Sequence, residues 1–107
     1  MPAVLEGVTV LKDGLGRDGA TVPAGEMERT LLARLLKART RAAAVDELLL
    51  AIWPALPRTM ARNRLRNLVH RVNAKLDSLG SRLGVVIDAG EVRVIGPGRG
   101  LSRATEH

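Results

Sequence analysis

The sequence predicts a small α+β domain in which a β-hairpin at each end brackets three helices. Three observations predict it. β-Branched runs divided by turn residues stand at both ends of the chain, and apolar residues recur with helical spacing between them. Within that helical region, Pro54 and Pro57 of the segment PALP impose a stop. At 107 residues the chain fits one domain with little core surface to spare.

Residues 4–11 (VLEGVTVL) read as a first strand, followed by the turn-rich KDGLGRDG, and Ala20-Thr21-Val22 reads as the return strand. Residues 26–38 follow as a helix. Met27, Leu31, Leu32, Leu35 and Leu36 line one face, and acids lead while bases trail, as the helix dipole favours. Arg39-Thr40-Arg41 interrupts the pattern. A second helix covers residues 45–53, with Asp46 and Glu47 in its first turn and Leu48, Leu49 and Ile52 on its apolar face. The third covers about residues 59–79. After Gly80, VVID-AG-EVRVI is a hairpin with a two-residue Ala-Gly turn. The domain is therefore expected to span residues 1–95, and residues 96–107, opening with GPGRG, to form a flexible basic tail.

Composition narrows the function classes. There is no cysteine, so neither disulfides nor thiolate metal sites are available. Phe and Tyr are absent and Trp53 is the single aromatic residue, which nearly excludes base stacking on aromatic platforms. Trp53 is read as a core anchor closing the turn between the second and third helices. The start MPAVLEGVTV lacks the basic and apolar regions of a signal peptide, and no apolar run is long enough for a membrane span. A cytoplasmic, nucleoid-associated protein without a membrane partner is expected. No catalytic grouping or Walker-type loop is present, and His70 has no acidic cluster at ligand spacing. The chain is thus not expected to be an enzyme or to hold a metal or other cofactor.

The net charge is +6, and its distribution is uneven. Residues 58–76, RTMARNRLRNLVHRVNAKL, carry five arginines, one lysine, one histidine and three asparagines with no acid. At about 100° per residue, Ala61, Leu65, Leu68, Val69, Val72, Leu76 and Leu79 form one stripe. Thr59, Asn63, Arg66, Asn67, His70 and Ala74 lie opposite. Arg62 and Asn73 flank that outer face on one side, and Arg64, Arg71 and Lys75 flank it on the other. Arg pairs with guanine edges and Asn with adenine edges in the DNA major groove, while flanking cations suit phosphates. A solvated surface helix normally mixes charge signs, whereas this one has only Asp77 near its end. A short helix, a compact turn and a long basic helix make a helix-turn-helix arrangement, and the hairpin behind them is a candidate wing.

The run LLLAIWPALPRTMARNRLRNLVHRVNAKL resembles the OmpR-type winged helix-turn-helix domain, particularly the N-terminal domain of SARP-type bacterial transcription activators. The likeness is carried by Ile52-Trp53, Pro57, Ala61-Arg62-Asn63, Leu65, Val69, Arg71-Val72 and Leu76, and extends to TLLARLL and LEGVTV. The resemblance implies a third helix in the major groove and a hairpin near the DNA backbone or minor groove. Asn63, Arg66, Asn67 and His70 would contact bases. Arg58, Thr59, Arg62, Arg64, Arg71, Asn73, Lys75 and Arg93 would serve phosphates. Arg62 stands near the core edge, which leaves it equally open to a structural ion pair. Two departures from the family pattern stand out. Ala44 replaces the usual Ser or Thr cap of the second helix. The hairpin tip Asp88-Ala89-Gly90-Glu91 sets two carboxylates where the family has an arginine, so Arg93, or Arg99 and Arg103 of the tail, would take over that contact.

The implied function is sequence-specific binding of double-stranded DNA as a bacterial or phage transcriptional regulator, with homodimeric or tandem binding and a transcription-machinery partner as further expectations. Neither a receiver domain nor a tetratricopeptide-like extension accompanies the domain, which suits a stand-alone binder or an excised domain. The competing expectation is a winged-helix protein-interaction module, because an acidic hairpin can pair with another protein's strand edge.

Overall fold

The computed structural model describes residues 4–5 and 7–96. The expected tail beyond residue 96 lies outside them. The order is β1 (Val4–Leu5), β2 (Val8–Val10), β3 (Gly14–Arg17), β4 (Ala20–Pro23), α1 (Glu26–Lys37), β5 (Ala42–Ala44), α2 (Val45–Ile52), α3 (Arg58–Ser78), β6 (Gly84–Asp88) and β7 (Glu91–Ile95). The α+β class and the three helices are as the sequence predicts. The strands differ.

Instead of one hairpin, the N-terminal segment forms a four-stranded antiparallel meander, β1-β2-β3-β4. KDGLGRDG conceals a strand that begins at the glycine of one Asp-Gly pair and ends just before the next. Asp18 and Gly19 both have positive φ, 51° and 86°, as a type I′ hairpin turn requires. The strand is hard to read because glycines flank its one inward apolar residue, the fully buried Leu15. Gly14 is there for space: a Cβ would lie 2.1 Å from the Val22 carbonyl oxygen.

The second departure is β5. Three alanines carry no β-branched signal, yet Ala42–Ala44 pairs with β7 to give the sheet order β5-β7-β6. Arg41 turns the chain into this strand with a left-handed φ of 58°, and its carbonyl accepts the Val94 N–H at 2.8 Å. The expected C-terminal hairpin is present, its Ala89-Gly90 turn again having both φ values positive. It is not a free-standing finger, because β5 supports one side.

Helix boundaries follow local chemistry. The Glu28 carboxylate accepts the Gly25 N–H at 3.1 Å and so satisfies an N–H group at the α1 start. At α2, Ala44 supplies no side-chain cap, and the helix still begins at Val45. The Val45 N–H donates to Gly90 O at 2.9 Å, so the hairpin turn satisfies the amide that this end would otherwise leave open. Trp53 ends α2 and is buried, and the Leu56 N–H donates to its carbonyl within the following turn. At the C-terminus of α3 the Gly80 N–H bonds Asp77 O at 2.9 Å, and the Ser81 N–H bonds Leu76 O at 3.0 Å. With Gly80 at φ +73°, this is a Schellman motif.

One aliphatic core joins both sheets and all three helices, from Val8 and Leu15 through Leu31, Leu35, Leu48, Leu65, Leu68 and Leu76 to Val85 and Val92. Every residue of the expected α3 stripe is buried in it. Met27 is a correction: placed on the apolar face of α1 by periodicity, it is 42% exposed, because it lies in the first turn, where that face reaches the rim of the core. No helix among the described residues is long and apolar enough to cross a membrane.

Candidate nucleic-acid interface

α3 is 21 residues long, or roughly 31 Å at 1.5 Å per residue. With its apolar stripe in the core, Thr59, Asn63, Arg66, Asn67, His70 and Ala74 are all exposed along its outer face. The helix is fastened along both flanks, through two residues expected to meet phosphate, Asn73 and Arg71.

On one flank runs β6. Val94 directs its N–H toward β5, so its partner Val85 turns its own N–H and C=O away from β7. Asn73 satisfies both: Nδ2 donates to Val85 O at 2.9 Å, and Oδ1 accepts the Val85 N–H at 2.7 Å. Half-buried and fully engaged there, Asn73 joins helix to sheet instead of facing outward. It was expected among the phosphate-facing residues flanking α3, and in the fold its amide is bonded to the sheet. The physical reason is that an unpaired backbone edge beside a helix needs a partner with both donor and acceptor.

On the other flank lies α1. Arg71 Nε donates to Glu28 Oε2 at 3.2 Å, while Glu28 Oε1 holds the Gly25 N–H. Glu28 is only 8% exposed, whereas the Arg71 side chain is 54% exposed. Arg71 is therefore an ion-pair partner of α1 and still reaches the surface.

The other cations divide into paired and unpaired groups. Arg58 pairs with Asp46 of α2 at 2.8 Å, with both side chains more than half exposed. Arg93 donates to Glu91 at 2.6 Å, and its Nε is buried without a partner among the described residues. Arg93, expected to meet phosphate, is thus paired with a carboxylate of its own strand. Arg62, Arg64, Arg66 and Lys75 have no ion-pair partner among the described residues; the arginines are exposed and Lys75 is half-buried. Arg62 thus makes none of the structural ion pairs that its angle left open. Arg99 and Arg103 lie outside the described residues.

A hollow lies on each side of α3. One, of about 300 Å³, is lined by Val45, Arg62, Leu65, Arg66, Ile87 and Gly90, between the helix and the hairpin. The other, of about 390 Å³, is lined by Met27, Trp53, Met60, Asn63, Arg64, Asn67 and Arg71. The helix is consequently a ridge with cations at both margins. Its start carries no acidic residue in the first turn and no side-chain cap, which leaves first-turn N–H groups available to an external acceptor.

The hairpin tip is held against the fold. Gly90 O is engaged by Val45, and Glu91 stands opposite Ala44, the residue that precedes α2. A carboxylate near a helix N-terminus is electrostatically favoured, which gives an acidic tip a structural reason of its own. Sequence reasoning missed the bonds that Glu28, Gly90 and Asn73 make within the fold. The spacing of Glu28 from Gly25 does mark a helix start, but nothing local connects it with Arg71, 43 residues later. Among the described residues no group of three or more His, Cys, Asp or Glu side chains is placed to hold a metal.

No protein-family model matches the chain, and no curated protein matches it.

Proposed function

We propose that this chain is a winged helix-turn-helix protein that binds double-stranded DNA sequence-specifically as a bacterial or phage transcriptional regulator, as its resemblance to the OmpR-type domain implies. The observation that carries the reading is the outer face of α3. Asn63, Arg66, Asn67 and His70 are exposed together, and neither Arg66 nor the neighbouring Arg62 and Arg64 has an acidic partner among the described residues. A ridge of amide and guanidinium groups suits base edges, and the two cation-bordered hollows suit the sugar-phosphate strands on either side of a major groove.

Arg62, Arg64, Lys75 and the exposed part of Arg71 supply phosphate contacts, joined at the start of α3 by Arg58, Thr59 and the free backbone amides. Asn73 and Arg93 act from within the fold, the first by fixing the hairpin beside α3 and the second by neutralising Glu91. The test is a fluorescence-anisotropy titration against random duplex DNA at two salt concentrations. Binding that weakens steeply with salt supports the proposal. No binding at low salt overturns it.

The competing reading, a protein-interaction module of the same architecture, draws on the exposed Asp88 at the hairpin tip and on Leu50, which is 70% exposed on α2. Its strand-addition form is weakened by Asn73, which already occupies the outer edge of β6 at Val85.

A further inference from the structure

We propose that Glu28, an acidic residue of α1, is a positioning residue for DNA binding that aims the guanidinium of Arg71 at a phosphate; this rests on the DNA-binding reading above. A buried carboxylate beside a surface for a polyanion is at first sight a liability, since it repels phosphate and cancels a nearby cation. Its geometry points to another role. Glu28 is held from both sides, Oε1 by the Gly25 N–H at 3.1 Å and Oε2 by Arg71 Nε at 3.2 Å. It belongs to a helix whose Leu31, Leu32, Leu35 and Leu36 are in the core, so its position is rigid.

Arginine has five N–H donors in a planar fork. The bond to Glu28 occupies the single donor on Nε and leaves the four on the two Nη atoms. A side chain free to sample many rotamers loses that freedom on docking, whereas an arginine already fixed through Nε has less to lose. The exposure of the pair agrees, with Glu28 shielded and Arg71 more than half open on the margin of α3. Arg71 also lines the hollow that holds Arg64, Asn63 and Asn67, so its fork opens where a strand beside the base-reading face would pass. Arg62, Arg64 and Arg66 have no such anchor among the described residues.

The inference predicts an effect opposite in sign to that of net charge. Glu28→Gln raises the net charge by one and keeps an amide oxygen to accept from Gly25, so long-range electrostatics alone would tighten DNA binding. Positioning predicts that binding to duplex DNA weakens, roughly three- to five-fold, the scale of one partly exposed ion pair. The slope of log K against log salt should also fall by up to about 0.9, one phosphate contact. Glu28→Asp leaves the net charge unchanged but shortens the reach, and it should weaken binding as well. In an Arg71→Ala background, Glu28→Gln should no longer weaken binding.

The measurement is anisotropy on one duplex across a salt series with the parent, the three single variants and the Glu28→Gln/Arg71→Ala pair, each kept well below its melting temperature. Weakening by Glu28→Gln that disappears without Arg71 supports the proposal. Equal or tighter binding by Glu28→Gln, or weakening that persists without Arg71, overturns it while the DNA reading stands. A parent protein that binds no DNA at low salt overturns both.

Discussion

Arg66 and Arg71 are both arginines on the surface of α3, yet their surroundings assign them different work. Arg66 is exposed with no ion-pair partner among the described residues, beside Asn63 and Asn67 on the outward face. On the proposed reading, Arg66→Ala relaxes sequence preference and costs about 1–3 kcal/mol against a guanine-containing site. A binding-site selection with parent and variant would show it, and an unchanged preference would sink the base-reading role. Arg71 lies at the margin and is fastened to Glu28, so Arg71→Ala should weaken binding to all duplexes alike and flatten the salt slope. That substitution also removes one of the two polar contacts of a buried carboxylate, which makes a parallel unfolding curve part of the experiment. Asn73 makes a stability prediction that does not depend on DNA. Asn73→Ala leaves the N–H and C=O of Val85 without their partner and should lower stability by about 1–3 kcal/mol, read as a reduced urea midpoint.

At the scale of elements, the C-terminal hairpin is the part whose surroundings most change its reading. Seen alone, EVRVI and its acidic turn form a finger free to approach phosphates or another protein. In the fold it is the middle and outer strands of a sheet, supported by β5, joined to α2 through Gly90 and to α3 through Asn73. Its tip cannot be redirected without breaking those bonds. Combining Asp88→Asn with Glu91→Gln removes two carboxylates and frees Arg93 from its 2.6 Å pair. If the hairpin flanks DNA, duplex affinity should rise several-fold at low salt and converge with that of the parent at high salt; no change would place the tip away from DNA. The N-terminal sheet has a comparable weak point at Gly14. Gly14→Ala would press a Cβ against the Val22 carbonyl, so the β3–β4 pairing must shift. A clear fall in melting temperature is expected, and an unchanged one would mean that the sheet accommodates the methyl group by moving β4.

For the whole molecule, a small and largely aliphatic core presents a basic ridge along α3. The cations proposed to meet phosphate from the flanks of α3, Arg62, Arg64, Lys75 and the exposed part of Arg71, set the scale of the electrostatics. With each phosphate contributing about 0.9, a salt slope of about −3 to −4 is expected for one domain on DNA. A slope near zero would turn attention to a protein partner. Much of this was legible in the sequence, because it rests on periodicity and punctuation. The α3 stripe, its outer face, the PALP stop, the buried Trp53 and the Ala-Gly hairpin turn depend on helical geometry, proline chemistry and turn propensity within a few residues. What stayed hidden needs a partner distant in the chain. β3 holds two glycines and β5 three alanines; neither favours a strand by composition, and each becomes one only because neighbouring strands supply backbone hydrogen bonds. Glu28 and Asn73 are likewise ordinary polar residues until folding brings Arg71 and Val85 within bonding distance. The helices, their buried faces and the place where positive charge collects follow from the order of side chains along a regular backbone, and so could be read before folding. Which of the charged and amide groups remain free to meet a partner emerges on folding, because it depends on which polar groups the packed chain has already satisfied.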